Sequence, residues 1–254
     1  MKNKMIRNIL LTVVLSSVIA VPIYAQNIRA IPVSAYDIKI VPISFTVNLI
    51  RNIINSITDK STPEVNQNGE KPLEYELSDE GIIKSEYAEK VIKETSNEVI
   101  NLIKNKDSEK LAEYVHPLKG VRFTPYTNVS VENDVVFNKD DMKNFFKDNN
   151  LYLWGYYDGR GDEIKLTPSE YYEKFIYTED FVNVNEIGYN EVLSSGNMIE
   201  NQFDIYENAI VVEYYIPEIN PEYQGIDWQS LRLVFEEYEG VWKLVGIIHN
   251  QWTI

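Results

Sequence analysis

The sequence predicts an α+β fold in which helices pack on a curved, mainly antiparallel sheet, and three observations carry that expectation. Helical spacing dominates the region just after residue 80, the stretch from residue 209 onward reads as three long strands, and the last of these holds Trp242, Leu244, Ile248, Trp252 and Ile254. Chain ends ordinarily fray. A terminal strand this apolar is therefore expected to complete the sheet.

The segment before residue 81 is expected to lie outside that domain. Lys2, Lys4 and Arg7 precede an apolar run from Ile9 to Val21, the layout of a signal peptide over residues 1–25 with cleavage after Ala25. Cleavage after Ala20 or Ala35 is an alternative. So is a retained anchor, although the run is short against the ~20 residues of a membrane span. Residues 26–57 are apolar, and Phe45, Leu49, Ile50, Ile53, Ile54 and Ile57 recur at helical spacing. Such a helix would dock on the domain or lie on a membrane or partner. Residues 58–80 are polar, carry Pro63, Gly69 and Pro72, and read as a flexible linker. These features predict a secreted protein, free or held at the cell envelope.

The domain, residues 81–254, begins with the clearest helix. From Glu86 to Asn105, Tyr87, Val91, Ile92, Val99, Leu102 and Ile103 form one face and Lys and Glu cover the other. Asp107 or Ser108 caps a second, shorter helix through Val115, ended by Pro117 and Gly120. Extended pieces follow at 121–123 and 128–137, and Asn138 with Asp141 opens another helix. Leu151 to Tyr157 alternates as a strand running into the turn DGRGD, and Thr167, Pro168 and Glu170 form a capping box with proline at the first helical position. The closing strands are Ala209–Ile216, Ser230–Tyr238 and Val241–Thr253.

If Glu239 and Gly240 make a two-residue turn, Tyr238 faces Val241 and the pairing of the last hairpin follows. One face then holds Leu231, Leu233 and Phe235 with Trp242, Leu244, Gly246, Ile248, Trp252 and Ile254, the expected core side. The other holds Arg232, Val234, Glu236 and Tyr238 with Lys243, Val245, Ile247, His249 and Gln251. Glu236 opposes Lys243, and Arg232 falls near His249. On the preceding strand Glu213 sits with Val211 and Tyr215, so Glu213 joins Arg232 and His249 if the strands are adjacent and in suitable register, and Arg232, His249, Glu213, Tyr215, Trp154 and Tyr156 make the candidate pocket. There His249 would act as a base and the carboxylate would orient it. A structural ion pair beside a hydrogen-bonded histidine is the plainer alternative. A one-residue error in register reverses this assignment. Tyr152, Trp154, Tyr156 and Trp228 are candidate lining for a sugar or peptide surface, and packing is the simpler account of so many aromatics.

Composition restricts the function classes. The formal net charge is −15, and losing Lys2, Lys4 and Arg7 with the leader takes it to −18. That field repels phosphate backbones and anionic lipid, which argues against nucleic acid and leaves membrane contact to the leader or residues 26–57. The chain has no cysteine, so disulfides, thiol chemistry and an acylated N-terminal cysteine are excluded. Two distant histidines, His116 and His249, make a zinc site unexpected, and Asp158, Asp162 and Glu163 lack the spacing of a calcium loop. Ser194 and Ser195 lack a nucleophile-elbow context and there is no glycine-rich phosphate loop. No metal or cofactor is expected.

A leading helix, a short second helix ending in EYVHP, and a final strand pair ending in GVWKLVGI resemble the NTF2-like, cystatin-related α+β cone. HPLKGVRFTPY, LYLWGYYDG, SLRLVFEEYEG and WKLVGIIHNQWTI are similar to exported proteins and lipoproteins of low-GC Gram-positive bacteria. The resemblance spans about residues 86–254. It implies a fold that serves enzymes and non-catalytic modules alike. Two functions are thus expected in competition. One is a non-catalytic domain that binds a small molecule, peptide or envelope partner, or dimerises through its sheet. The other is a hydrolase or isomerase using Glu213, His249 and Arg232.

Overall fold

The structure is a computed structural model that describes residues 76–253. The expected signal peptide, residues 26–57, most of the expected linker and Ile254 lie outside the described residues. The elements in chain order are α1 (Ser85–Lys104), α2 (Ser108–Leu111), β1 (Val121–Thr124), β2 (Val135–Phe137), α3 (Lys139–Lys143), β3 (Tyr152–Tyr156), β4 (Glu163–Leu166), α4 (Pro168–Tyr171), β5 (Glu186–Tyr189), α5 (Gln202–Ile205), β6 (Ile210–Ile216), β7 (Gln229–Tyr238) and β8 (Val241–Gln251). A π-turn at Tyr172–Ile176 extends α4. Six strands form one sheet in the order β2-β1-β8-β7-β6-β5, and β3 and β4 form a separate hairpin. Every neighbour in the large sheet is antiparallel except β1 and β8.

Local chemistry accounts for the helix starts. The Asp107 side chain accepts a hydrogen bond from Lys110 N at the head of α2. Asn138 and Asp141 close a capping box on α3, and Thr167 and Glu170 close another on α4, each satisfying two backbone donors that helix geometry leaves unpaired. Helix α1 has no side-chain cap and is held by its apolar stripe, in which Ala88, Ile92, Val99, Ile100 and Ile103 are buried. The extended piece at 128–137 is shorter than expected, because only Val135–Phe137 pairs with β1. In the preceding turn the Asp134 carboxylate accepts from Thr124 Oγ1 and Ser130 N, drawing backbone away from the ladder.

The main core lies between α1, the α4 region and one face of the large sheet. Its centre is aromatic: Trp154 stacks on Tyr171 at 3.8 Å, Tyr171 stacks on Phe175 at 5.1 Å, and Phe123 meets Trp154 edge-on at 5.6 Å. Trp154 Nε1 donates to Leu166 O at 2.9 Å. The space between sheet and helices is therefore filled by rings. A smaller cluster of Val129, Tyr206, Ala209, Val211, Val234, Val245 and Ile248 covers the other face of the sheet.

The last hairpin keeps the expected turn but not the expected register. Glu239 and Gly240 both have positive φ, as a primed two-residue turn requires, and the pairs from Tyr238↔Val241 to Phe235↔Leu244 are as counted. A β-bulge then follows, because Val234 pairs with Gly246 and Val245 is the extra residue. Beyond it the faces of β8 exchange. Leu233 opposes Ile247, Arg232 opposes Ile248 and Leu231 opposes His249. Gly246 and Ile248, expected in the main core, lie instead on the second face, whereas Ile247 joins the main core. Trp252 is 44% exposed. The sequence signal for the bulge is Gly246 in mid-strand. A Cβ there would stand 2.9 Å from the Tyr206 hydroxyl and 3.2 Å from Val234 Cβ, so the missing side chain makes room for a ring crossing the sheet.

Candidate functional site

Strands β6 and β7 bring two of the expected residues together. Glu213 and Arg232 are directly opposed, both fully buried, with Arg232 Nη2 3.2 Å from Glu213 Oε1. Tyr215 shares the Glu213 side of β6 and lies near Trp228, with ring centroids 6.2 Å apart. Residues 190–206 and 127–129 are pinned over this face. Asn201 exchanges two hydrogen bonds with the Val129 backbone, at 2.8 and 2.9 Å. The guanidinium donates to Thr127 Oγ1, Ser194 O, Ser194 Oγ and both Glu200 carboxylate oxygens. The Glu213 carboxylate in turn accepts from Leu193 N at 2.8 Å, from Ser194 N and from Ser194 Oγ.

His249 is not part of this cluster, which corrects the expected pocket. The bulge turns its ring to the main core beside Leu231, where it meets Phe175 edge-on at 5.8 Å. Its Nε2 donates to Gln251 Oε1 at 3.2 Å, and burial pushes its pKa down to about 4, against the smaller upward pull of that bond. A neutral ring sealed on the opposite face cannot exchange protons with Glu213. Trp154 and Tyr156 also lie elsewhere: Trp154 is in the aromatic core, and Tyr156 is 56% exposed on β3. A bulge between Leu153 and Gly155 breaks their alternation.

Other expectations resolve locally. Glu236 opposes Lys243 as counted, yet its carboxylate pairs with Lys119, and Lys243 Nζ donates to Glu113 O. His116 is not a helix-end residue, because α2 stops at Leu111; it bridges to Gly120, its Nδ1 accepts from Leu118 N and Lys119 N, and burial lowers its pKa. No group of three metal-ligating side chains occurs among the described residues. Sequence reasoning missed Ser194, Glu200 and Thr127, from loops whose position no periodicity encodes, and Gln202 at the head of the one-turn helix α5, whose Oε1 lies 3.5 Å from Arg232 Nη1. Ser230 and Asn250 were within reach, since the corrected register pairs them across β7 and β8 beside Ser194.

Two open features occur among the described residues: a cavity of about 230 Å³ between residues 80–83 and 203–209, and a site at the end of the sheet where β7 starts and β8 finishes. A shallow groove of about 310 Å³ is lined by Ile219, Ile226, Asp227, Trp228, Gln229, Gln251 and Trp252. Asp227 shapes it, its carboxylate accepting from Ile219 N at 3.3 Å and Asn220 N at 2.7 Å. Ile219, Ile226 and Trp252 present apolar surface to solvent, while Trp228 is buried to its edge against Gly196. No protein-family model, curated protein or solved structure matches the chain.

Proposed function

We propose that the chain is an exported, non-catalytic interaction domain of NTF2-like fold that contacts its ligand at the sheet-end groove. The observation that supports this reading is the separation of the groups a Glu/His/Arg mechanism would use. Glu213 and Arg232 bond to each other and to the covering loops on one face, and His249 is enclosed on the other. A Glu/His/Arg mechanism needs all three within hydrogen-bond reach of one substrate atom. The aromatic core occupies the space an interior pocket would need, and the sheet-end groove, with Trp252 exposed in its lining, supports contact there. A leading helix, a short second helix and a closing strand pair, in that chain order, support the NTF2-like reading. The basic, then apolar, leader supports export, with an envelope partner or a second copy as the alternatives to a soluble ligand.

The test is a thermal-shift screen of the full chain against sugars, peptides, lipids and divalent cations. At least one class should raise Tm by several degrees, and Trp252→Ala should remove that rise. Turnover of an ester or peptide library that is abolished by Glu213→Gln would overturn the reading.

A further inference from the structure

The groove has an unusual balance of donors and acceptors. Gln229 and Gln251 face each other across β7 and β8. The side-chain oxygen of Gln229 accepts from Thr178 Oγ1, and that of Gln251 accepts from His249 Nε2. Each planar amide is thus fixed with its oxygen turned into the protein, which leaves the NH₂ group as its free end. No described residue accepts from either nitrogen. The one carboxylate in the lining, Asp227, is engaged by two backbone N–H groups. The side chains lining the groove therefore offer N–H donors and apolar faces, and their one carboxylate is already engaged.

That balance selects the ligand. An ordinary extended peptide brings an N–H at every residue, and a sugar brings a hydroxyl proton at nearly every carbon; both need acceptors, which are scarce among the lining side chains. A proline-rich peptide brings carbonyl acceptors without N–H donors, and its rings present apolar faces for Trp252, Ile226 and Ile219. Its polyproline II backbone is already ordered, so a shallow site costs it little entropy. Charge adds a second requirement. Glu218 and Glu222 are exposed on the loop that forms the groove wall, no Lys or Arg lines the groove, and the chain carries −15 overall. Taking the interaction reading above as its premise, we infer that the groove binds a proline-rich segment in polyproline II conformation flanked by basic residues.

Fluorescence anisotropy of the full chain with a labelled oligoproline flanked by lysines tests this. A glycine-serine peptide with the same flanks and an uncharged chito-oligosaccharide serve as comparisons. The oligoproline should bind at least about tenfold more tightly than the glycine-serine peptide, and Trp252→Ala and Ile226→Ser should each weaken it about tenfold. Both positions are exposed, so far-UV circular dichroism should show each variant folded. Equal binding of the two peptides would overturn polyproline recognition and leave only charge attraction. Saccharide binding that is lost in Trp252→Ala, with no peptide binding, would overturn the ligand class while leaving the groove as an interaction site. If neither peptide nor saccharide binds, and Trp252→Ala changes no ligand-induced shift, both the ligand class and the groove reading are overturned.

Discussion

His249 shows how one side chain's setting becomes a property of the whole domain. Its pKa is about 4 when folded, set first by burial, against about 6.5 for an exposed histidine. Protonation therefore favours the unfolded chain. The neutral ring's contribution is complete above about pH 6.5 and declines as pH falls toward 4, by up to about 3 kcal/mol. His116, also lowered by burial, acts in the same direction. Urea unfolding at pH 7 and pH 4.5 should show this loss, and His249→Gln, which cannot titrate, should flatten the slope between those values. An unchanged slope would show that His249 is not the group responsible.

Among the elements, β8 decides most. Gly246→Ala places a Cβ 2.9 Å from the Tyr206 hydroxyl and should cost about 1–3 kcal/mol as an overpacking change. Tyr206→Phe in the same chain should recover part of that loss, because it removes the nearest atom, and a double-mutant cycle in urea measures the coupling. Elements governed by local rules were legible in the sequence: the amphipathic stripe of α1, the capping boxes of α3 and α4, and the Glu239-Gly240 turn. The shared face of Glu213 and Arg232 was legible from alternation along β6 and β7, while their direct pairing rests on the register the structure supplies. The Arg232–His249 meeting was not legible, because the hydrophobic pattern of LVGIIHNQ suits either face and the deciding bulge hangs on a glycine whose ring neighbour is some 40 positions upstream. The short strand β5 and the loops covering Arg232 carry no periodicity, so the company Arg232 keeps was beyond reach.

For the molecule as a whole, Arg232 is the group that joins the sheet to both covering segments, through Thr127 on one and Ser194 and Glu200 on the other. One guanidinium faces two carboxylates there, so Arg232→Met leaves Glu213 buried without its counter-charge and should cost about 3–5 kcal/mol. The loss should be accompanied by dye binding to the uncovered Val211, Val234 and Ile248 surface before global unfolding in urea. Arg232→Lys should not rescue it, since an ammonium cannot span the same partners. A single cooperative transition with no early dye binding would mean that the covering segments are held by their own contacts.

The bulge at Val245 also governs how this hairpin should be compared with any relative. A chain that pairs regularly would need one residue fewer between the turn and the terminal tryptophan to keep both faces as they are here. Laid against such a chain without a gap, His249 and Gln251 would be matched to positions that face the Arg232 loops, and Ile248 to a position in the aromatic core. Substitution patterns read from that alignment would merge two unrelated environments, so a single-residue gap placed at Val245 is the condition for comparing like with like.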